Sequence, residues 1–305
     1  MARRVRTPAW HQVPAQGGRC VVVTGASGGL GLELSRSLVR AGAHVVLAVR
    51  DPAKGERVAA RLDAGRGSAE VRRLDVSDLG SVRRFADGLR TDRLDVDVLV
   101  NNAGVMAVPF GRSVDGFEQQ LATNHLGHFA LANLLLPRIR DRVVVVASQA
   151  HRSGVLDLDD LNWSRRGYRP YAAYAASKLA NLLFLAELQR RLHAAGSRLR
   201  ATGAHPGNTN TQITANTGNG MLTRVGSFGQ RLVGMPPERG VLPLLYAATM
   251  DVPGNSYFGP HRLRELHGWP TGVGRSRAAS DPDLAKALWV RSEALTGVGF
   301  PLGGD

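Results

Sequence analysis

Short valine-rich runs alternate with helix-length segments along this chain, and that alternation limits the folds it can adopt. The apolar runs are predicted strands at 20–23, 44–49, 70–74, 96–100, 142–147, 199–204 and 255–258. The longer segments are predicted helices at 29–41, 52–63, 78–90, 114–136, 170–195, 236–250 and 281–296. Strands that are apolar throughout are typical of a parallel sheet covered by helices on both faces. We therefore predict an α/β fold with a doubly wound parallel sheet.

Three stretches outside this alternation define the expected domain organisation. Residues 1–18 are predicted to be a loosely ordered lead-in to a single domain at 19–305. Residues 208–235, rich in Gly, Asn and Thr, are too long for a simple connection. A loop of that size in a compact domain is more often a lid or substrate loop than a linker. Residues 260–280 carry no clear pattern and are predicted to be irregular.

Composition indicates an ordinary globular protein. The chain has 305 residues, of which 43% are hydrophobic and 21% are charged. It lacks the run of about 18 apolar residues that a membrane-spanning helix needs, so we expect no membrane span. Its basic N-terminus lacks the apolar segment of a secretory signal. The single cysteine, Cys20, lies in a predicted strand, as expected of a buried thiol in the reducing cytoplasm.

The net charge of +14 raises the question of a nucleic-acid partner. Most of the positive charges are arginines scattered among acidic residues, whereas nucleic-acid binders concentrate charge on one face and carry a recognisable reading motif. We find no such motif and predict no specific nucleic-acid binding. Weak, salt-sensitive adhesion to polyanions still follows from the charge alone.

A glycine-rich turn, TGASGGLG at 24–31, follows the first predicted strand and opens the first predicted helix. Because glycine has no Cβ, such a turn lets backbone N–H groups and the helix N-terminus approach a pyrophosphate. Its glycines fit two registers, Gly25-Gly29-Gly31 and Gly25-Gly28-Gly31, and the turn alone does not decide between them. Its place in a β-α-β unit predicts a Rossmann-type dinucleotide-binding domain.

The end of the second predicted strand indicates which dinucleotide to expect. An acidic residue there would bind the ribose hydroxyls of NAD, whereas an arginine accommodates the 2′-phosphate of NADP. Val49 occupies the strand end and Arg50 follows it. Asp51 precedes Pro52 and is explained as a helix N-cap. We predict NADP as the cofactor. NAD is the alternative, with Arg50 then an ordinary surface residue.

Two side chains on a predicted helix suggest proton transfer. Tyr174 and Lys178, in YAASK, stand four residues apart within 170–195 and so share one helix face. A tyrosine with its ordinary pKa of about 10 is a poor base at neutral pH, and a neighbouring ammonium favours the phenolate. We therefore expect Lys178 to lower the pKa of Tyr174. Tyr171 is set aside because Ala175 stands where its lysine would have to be.

Further polar residues are expected at the sheet edge where doubly wound folds bind ligands. Ser148 ends the fifth predicted strand, and NNAG at 101–104 follows the fourth, with small residues that allow close approach of a ligand. Asn124 lies in the following helix, where asparagine is unfavourable by propensity and therefore suggests a function.

In this order and spacing, the motifs resemble the short-chain dehydrogenase/reductase family over nearly the whole chain. They are Thr24-Gly25-x-x-x-Gly29-x-Gly31, Asp75-Val76, Asn101 to Gly104, Asn124, Ser148, Tyr174-x-x-x-Lys178 and Pro206-Gly207. The C-terminal segment LWVRSEALTGV (288–298) resembles bacterial members of the retinol-dehydrogenase-like and protochlorophyllide-reductase-like branch, and four further segments resemble this branch as a whole. These are AVRDPAKGE (48–56), LDVSDLGSVRRFA (74–86), TNHLGHF (123–129) and SKLANLLF (177–184).

The resemblance implies an oxidoreductase with Asn124, Ser148, Tyr174 and Lys178 as its catalytic set. Tyr174 would exchange a proton with the substrate oxygen, and Ser148 would stabilise the developing oxyanion charge. Lys178 would hold the nicotinamide ribose and lower the pKa of Tyr174. Asn124 would hold a water that links Lys178 to bulk solvent.

The resemblance also implies a set of cofactor contacts. These are Gly25, Ser27, Gly29, Leu30, Gly31, Arg50, Asp75, Val76, Asn102, Ala103, Gly104, Tyr174, Lys178, Pro206, Gly207 and Thr211. The loop after Gly207 departs from the common family pattern, because Thr209 stands where an aliphatic residue is usual. Thr211 is the better candidate for a nicotinamide or phosphate contact. No metal is predicted, since the histidines near the site show no metal-binding spacing.

Two other functions stay open on the sequence alone. One is a non-catalytic NADP-binding regulator or scaffold, which would have no chemical need for Tyr174. The other is a nucleotide-sugar epimerase or dehydratase, which would use the Gly25-Gly28-Gly31 register and a larger C-terminal substrate domain. We expect a small carbonyl or alcohol substrate, moderately apolar given the residues of 208–235. Family members are commonly dimers or tetramers, but this branch includes monomers, so a homo-oligomer is left open.

Overall fold

The computed structural model describes residues 10, 12–62, 66–208 and 235–302, and eight strands in these ranges form one sheet. The strands are β1 (Cys20–Thr24), β2 (His44–Val49), β3 (Ser68–Arg73), β4 (Val96–Asn101), β5 (Ile139–Val146), β6 (Arg200–Ala204), β7 (Tyr257–Arg262) and β8 (His267–Gly272). Their order is β3-β2-β1-β4-β5-β6-β7-β8, and all neighbours are parallel except β7 and β8. The predicted α/β fold is confirmed.

Helices cover both faces of this sheet. They are α1 (Gly29–Arg40), α2 (Pro52–Leu62), α3 (Leu79–Thr91), α4 (Gln119–Leu121), α5 (Gly127–Leu135), α6 (Pro170–Ala194), α7 (Pro237–Gly240), α8 (Leu242–Thr249) and α9 (Pro282–Thr296). Asp78 and Asp281 accept backbone N–H bonds in the first turns of α3 and α9, so these carboxylates fix where the two helices begin.

The two faces of the sheet form two separate apolar layers. In β1, Val22 packs in one layer with α3, α5, α6 and α9, while Val21 and Val23 pack in the other with α1 and α8. All three valines are almost fully buried, and burial of each such side chain contributes about 1.5–3 kcal/mol to stability. This explains why the strands are apolar on both faces rather than alternating.

The strand order reverses at β1, and this reversal creates the crevice for a ligand. The chain runs outward from β1 to β3 and then returns to the other side of β1 as β4. Thr24, at the end of β1, accepts backbone N–H bonds of 2.9 Å each from Asn102 and Ala103, which follow β4. The carboxyl ends of β1 and β4 are thus joined at the place where doubly wound folds bind ligands.

Two secondary-structure predictions were wrong. The helix expected at 114–136 starts only at Gln119, and a π-helical turn at Ala122–Leu126 separates α4 from α5. The irregular segment expected at 260–280 contains β8, an edge strand that pairs antiparallel with β7. Its Gly and Pro residues disfavour a central strand but are tolerated at a sheet edge. The lead-in at 1–18 and the single domain at 19–305 stay predictions.

Candidate active site

A cavity of about 530 Å³ opens at the carboxyl edge of the sheet. The predicted site residues that line it are Gly25, Ser27, Gly29, Leu30, Gly31, Arg50, Asp75, Val76, Asn102, Ala103, Gly104, Ser148, Tyr174, Lys178, Pro206 and Gly207. Asn124 is fully buried behind this lining, and Thr211 lies outside the described residues. We call the part around 25–31 and Arg50 the nucleotide end, and the part around Ser148, Tyr174 and Lys178 the reaction end.

The glycines of the turn at 24–31 are not equivalent. Gly25 and Gly29 have left-handed φ angles of 68° and 54°, which only glycine adopts without strain. A Cβ on Gly31 would lie 2.5 Å from the carbonyl oxygen of Gly25, so no side chain fits there. Gly28 is extended, with φ −178°, and a Cβ there would have only the Lys54 ammonium nearby, at 3.8 Å. The geometry therefore requires glycine in the Gly25-Gly29-Gly31 register and merely permits it at 28.

Two exposed cations flank the nucleotide end. Arg50 lines the cavity, and the Nζ of Lys54 lies beside the turn at Gly28. Asp51 is occupied by its expected capping role, since its Oδ1 accepts an N–H bond of 3.1 Å from Lys54. Sequence reasoning missed Lys54. Its position one helical turn after Arg50, at the start of α2, was the signal that could have found it.

The reaction end is built from the segment after β5, which provides Ser148, and from α6, which provides Tyr174 and Lys178. Ser148 follows β5, and its Oγ accepts an N–H bond of 3.2 Å from Ala150. Tyr174 and Lys178 lie on one face of α6, with the lysine Nζ 5.9 Å from the centre of the tyrosine ring. The ammonium donates a hydrogen bond of 3.1 Å to the carbonyl oxygen of Val146. Both side chains are buried, so each titrates in a dry environment.

Burial dominates the electrostatics of this pair. It raises the pKa of Tyr174 to about 12, although a hydrogen bond with Ser148 acts in the opposite direction. Burial also lowers the pKa of Lys178 to about 8. In the protein without its cofactor, the pKa of Tyr174 is therefore raised overall, and the lowering effect expected of Lys178 stays a prediction for the cofactor-bound site. The cost of placing a phenolate in this dry site outweighs the effect of a cation about 6 Å away.

Asn124 lies in the π-helical turn between α4 and α5. Its Oδ1 accepts a bond of 2.9 Å from the N–H of Val105, and its Nδ2 donates to the Val105 carbonyl at 2.9 Å and to Ser177 Oγ at 2.8 Å. The backbone carbonyl oxygen of Asn124 lies 3.3 Å from Nδ1 of His128. The side chain is thus occupied in fixing Val105, a residue of the cavity lining. Single π-turns of this kind occur frequently at functional sites.

Several cavity residues were not predicted. They are Gly28, Leu74, Val105, Met106, Thr123, Val146, Ala147, Gln149, Ala150, Tyr171, Asn208 and Leu266. Tyr171 lacks the paired lysine but lies at the cavity edge, with its ring 6.3 Å from that of Tyr174. Met106 packs against Tyr174 and Ala150. In the described ranges no group of three or more His, Cys, Asp or Glu is placed to hold a metal ion.

These residues fit a dinucleotide. The glycine turn opens helix α1 at the nucleotide end, and the cations Arg50 and Lys54 provide charge for phosphate at the same end. Gly104 keeps the lining open midway, because a Cβ there would lie 3.1 Å from Oδ1 of Asn124 and 3.7 Å from Nζ of Lys178. The cavity therefore connects a phosphate cradle to a pair of buried proton-transfer groups.

Comparison with known proteins supports this description. Residues 19–221 match the family described as short chain dehydrogenase. The chain belongs to the short-chain dehydrogenase/reductase family. Polyprenol dehydrogenase of Mus musculus is 40% identical over 304 residues, covering 96% of this chain and 87% of that protein. Retinol dehydrogenase 13 of Homo sapiens is 38% identical over 298 residues, covering 93% and 86%. The predicted resemblance to retinol dehydrogenases is confirmed.

Solved structures agree with the fold. A Mycobacterium paratuberculosis protein without an assigned function superposes with a TM-score of 0.83 at 50% identity, covering 96% of this chain and 99% of that one. The complex of Pseudomonas aeruginosa RhlG with NADP superposes with a TM-score of 0.61 at 27% identity, covering 79% and 93%. This short-chain dehydrogenase/reductase is therefore an NAD(P)-dependent oxidoreductase. Among its described helices, none is long and apolar enough to cross a membrane.

Proposed function

We propose that this enzyme transfers a hydride between NADP(H) and an apolar carbonyl or alcohol, with Tyr174 as the proton donor or acceptor. One observation carries the proposal. A single cavity joins the Gly25-Gly29-Gly31 cradle and its flanking cations to half-buried Ser148 and the buried pair Tyr174 and Lys178. A regulator without turnover would have no use for the buried tyrosine and lysine at the far end of its nucleotide site.

The choice of NADP rests on the charges at the nucleotide end. No acidic side chain stands free at the end of β2, because Asp51 caps α2. Arg50 and Lys54 would instead pair with the extra phosphate on the adenosine ribose. Both side chains are exposed, so they would attract the phosphate without the cost of burying an unpaired charge. The NADP in the similar RhlG complex supports the same choice.

The reaction divides between the cofactor and the chain. When bound, the nicotinamide supplies or accepts the hydride. Tyr174, with its pKa of about 12, is protonated at neutral pH, so its Oη is ready to donate a proton to a substrate carbonyl oxygen. Ser148 Oγ, already held by the Ala150 N–H, would donate a hydrogen bond to the same oxygen and stabilise the developing negative charge, while keeping its own proton.

Lys178 and Asn124 would support this proton transfer. The Lys178 ammonium would hold the nicotinamide ribose, and bound there it would stabilise the Tyr174 phenolate left after donation. Its bond to the Val146 carbonyl positions it beneath the reaction end. Asn124 would keep Val105 in place and hold the water that links Lys178 to solvent. Because both amide hydrogens of Asn124 are already donated, that water would have to donate to one of the two oxygens of Asn124.

The lining of the reaction end suggests an apolar substrate. Met106, Ala150, Tyr171 and Leu266 contribute apolar surface to the cavity that also holds Tyr174. Two similar proteins are named for retinol and polyprenol, which are both isoprenoid alcohols. We propose isoprenoid aldehydes and alcohols as the substrate class. The buried thiol of Cys20 also fits the cytoplasmic location that we propose.

The test is a substrate and cofactor screen with the purified protein. NADPH and NADH oxidation are measured with propanal, farnesal, all-trans-retinal, and panels of ketones and quinones. We expect kcat/KM with NADPH to be at least about tenfold higher for farnesal or retinal than for propanal, since each added apolar contact contributes to transition-state binding. If the protein bound NADPH but no compound in the screen caused NADPH to be oxidised, the protein would instead be a non-catalytic NADP-binding regulator. Equal rates with NADH would overturn the choice of NADP.

A further inference from the structure

The hairpin formed by β7 and β8 lies beyond residue 221, where the family match ends. Its tip, residues 263–266, joins the two antiparallel strands. Leu263, Arg264 and Glu265 have φ angles of 50°, 55° and 67°, which is the left-handed region that side chains rarely adopt. Three consecutive non-glycine residues in this conformation are strained, and such strain persists only where surrounding contacts hold it.

Four contacts hold the hairpin tip against the reaction end. Oε1 of Glu265 accepts a bond of 3.1 Å from Arg152, and Oε2 lies 3.2 Å from Nε2 of His205. Gln149 donates to the carbonyl of Arg264, and the carbonyl of Leu266 accepts a bond of 3.2 Å from the N–H of Asn208. The partners Gln149 and Arg152 lie on the turn after Ser148, and His205 and Asn208 flank Pro206-Gly207.

His205 transmits the position of Glu265 to the Pro206-Gly207 segment. Its Nδ1 accepts a bond of 3.2 Å from the N–H of Gly207, and its Nε2 faces Glu265 at 3.2 Å, a polar contact without the alignment of a hydrogen bond. The ring is buried, and a Cβ on Gly259 of β7 would lie 2.0 Å from Nε2. Only glycine at 259 therefore leaves room for this arrangement.

The tip also contributes to the cavity itself. Leu266 lines the cavity together with Ser148, Tyr174 and Tyr171. Its backbone lies so close to the Pro206-Gly207 segment that a Cβ on Gly207 would be 2.5 Å from the Leu266 carbonyl oxygen. Half-buried Leu266 is thus held at the cavity by its backbone, whereas Leu263 on the same tip is 69% exposed.

We propose that the hairpin tip is a wall of the substrate site. Leu266 is a specificity-determining residue that contacts the apolar part of the substrate next to Tyr174. Glu265 is a positioning residue that holds the tip in place through Arg152 and His205. This inference rests on the proposed function, because it assigns the recognition of an apolar substrate to a segment outside the family match.

The first test compares Leu266→Ala with Leu263→Ala in the full-length protein. Because Leu266 faces the cavity, its truncation should raise KM for farnesal about tenfold and change KM for propanal less than about twofold. The Leu263 variant should match the wild type with both aldehydes, since that side chain points to solvent. Equal KM values for farnesal in the two variants would overturn the assignment of Leu266.

The second test compares Glu265→Gln with Glu265→Asp. Loss of the charge should release the tip from Arg152 and His205, so Glu265→Gln should raise KM for farnesal several-fold while kcat stays within about threefold. Glu265→Asp should recover most of the wild-type KM. A fall in kcat with no change in KM, or no recovery with aspartate, would contradict the positioning role. Should Glu265→Gln fail to fold, the Leu266 comparison decides the proposal.

NADPH binding, followed by its fluorescence, separates this proposal from the proposed function. Leu266→Ala and Leu263→Ala should bind NADPH within about twofold of the wild type, because neither residue belongs to the nucleotide end. A wild-type protein that binds NADPH but reduces no aldehyde would refute the proposed function. A wild-type protein that reduces farnesal with the same KM as Leu266→Ala would refute only the role of the hairpin.

Discussion

At the nucleotide end the chain presents backbone and exposed charge, whereas at the reaction end it presents buried titratable side chains. Gly25, Gly29 and Gly31 shape a cradle that carries no side-chain chemistry, and Arg50 and Lys54 remain in water beside it. Tyr174 and Lys178, in contrast, are each less than 10% exposed on one long helix, with the pKa of both shifted by burial.

The difference follows from what each end has to do. Binding a charged dinucleotide needs only space and complementary charge, and exposed cations provide the charge at little cost in stability. Moving a proton at a defined atom needs fixed groups in a dry environment, and burying such groups is costly. Substitutions at the nucleotide end should therefore change affinity, and substitutions at the reaction end should change turnover. The following predictions test that separation.

The largest effect is expected from Tyr174→Phe. Removal of the only hydroxyl proposed to donate the proton should lower kcat for aldehyde reduction about 10³-fold, while the Kd for NADPH stays within about twofold. Steady-state kinetics and fluorescence titration give the two values. Tyr171→Phe is the matched control, since it removes a neighbouring hydroxyl at the edge of the same cavity and should leave kcat within about threefold. Equal losses in the two variants would contradict the assignment of Tyr174.

The glycine cradle gives the second prediction, a comparison of Gly31→Ala with Gly28→Ala. A Cβ on Gly31 meets a backbone oxygen at 2.5 Å, so the loop must shift, and NADPH should bind about 10- to 100-fold more weakly. Gly28 has extended backbone and open space, so its alanine variant should bind within about twofold of the wild type. If Gly28→Ala proved the more damaging change, the Gly25-Gly29-Gly31 register would be wrong.

Arg50→Ala is expected to weaken the binding of NADPH much more than the binding of NADH. Loss of an exposed cation beside the 2′-phosphate should weaken NADPH binding about tenfold and NADH binding less than about twofold. The effect should shrink as salt is added, because the charge is exposed. Lys54→Ala should show the same preference to a smaller degree. Equal weakening of NADPH and NADH binding would show that Arg50 is an ordinary surface residue.

The smallest of the four effects is expected from Lys178→Met, which should slightly increase the free energy of unfolding. The pKa of Lys178 is lowered from 10.5 to about 8, so the folded protein holds this proton less tightly than the unfolded chain does. Between about pH 8 and pH 10.5, the free energy of unfolding of the wild type should therefore increase relative to that of the variant. Near pH 7, where the buried ammonium is charged, methionine should add about 1 kcal/mol to the free energy of unfolding measured with urea. A less stable variant at pH 7 would contradict this balance.

Much of the fold was predictable because each central strand is buried on both faces and so consists of apolar residues. The errors lie where that rule does not apply. Strand β8 has Gly268 and Pro270 and is stabilised by pairing at the sheet edge, which its own sequence does not reveal. The π-turn around Asn124 depends on contacts with Val105 and Ser177, which are distant in sequence. Local propensity contains no information about such partners.

The site shows the same contrast. Residues that follow strands or sit in the glycine turn were predictable, because a local motif fixes their place at the sheet edge. Lys54 and Leu266 were missed, since their contributions depend on a helix turn and a hairpin returning to the cavity. The pKa of Tyr174 was expected to fall and is raised in the protein without its cofactor, because the spacing shows the nearby lysine but not the depth of burial. Burial arises from the whole fold rather than from a motif.

The central claim is that the cavity transfers a hydride from NADPH to an apolar carbonyl. The most direct test uses NADPH deuterated at C4 of the nicotinamide, each stereoisomer in turn, with farnesal as the acceptor and mass spectrometry of the product. The account predicts an alcohol that is one mass unit heavier with one of the two stereoisomers. Unlabelled alcohol from both stereoisomers would contradict it.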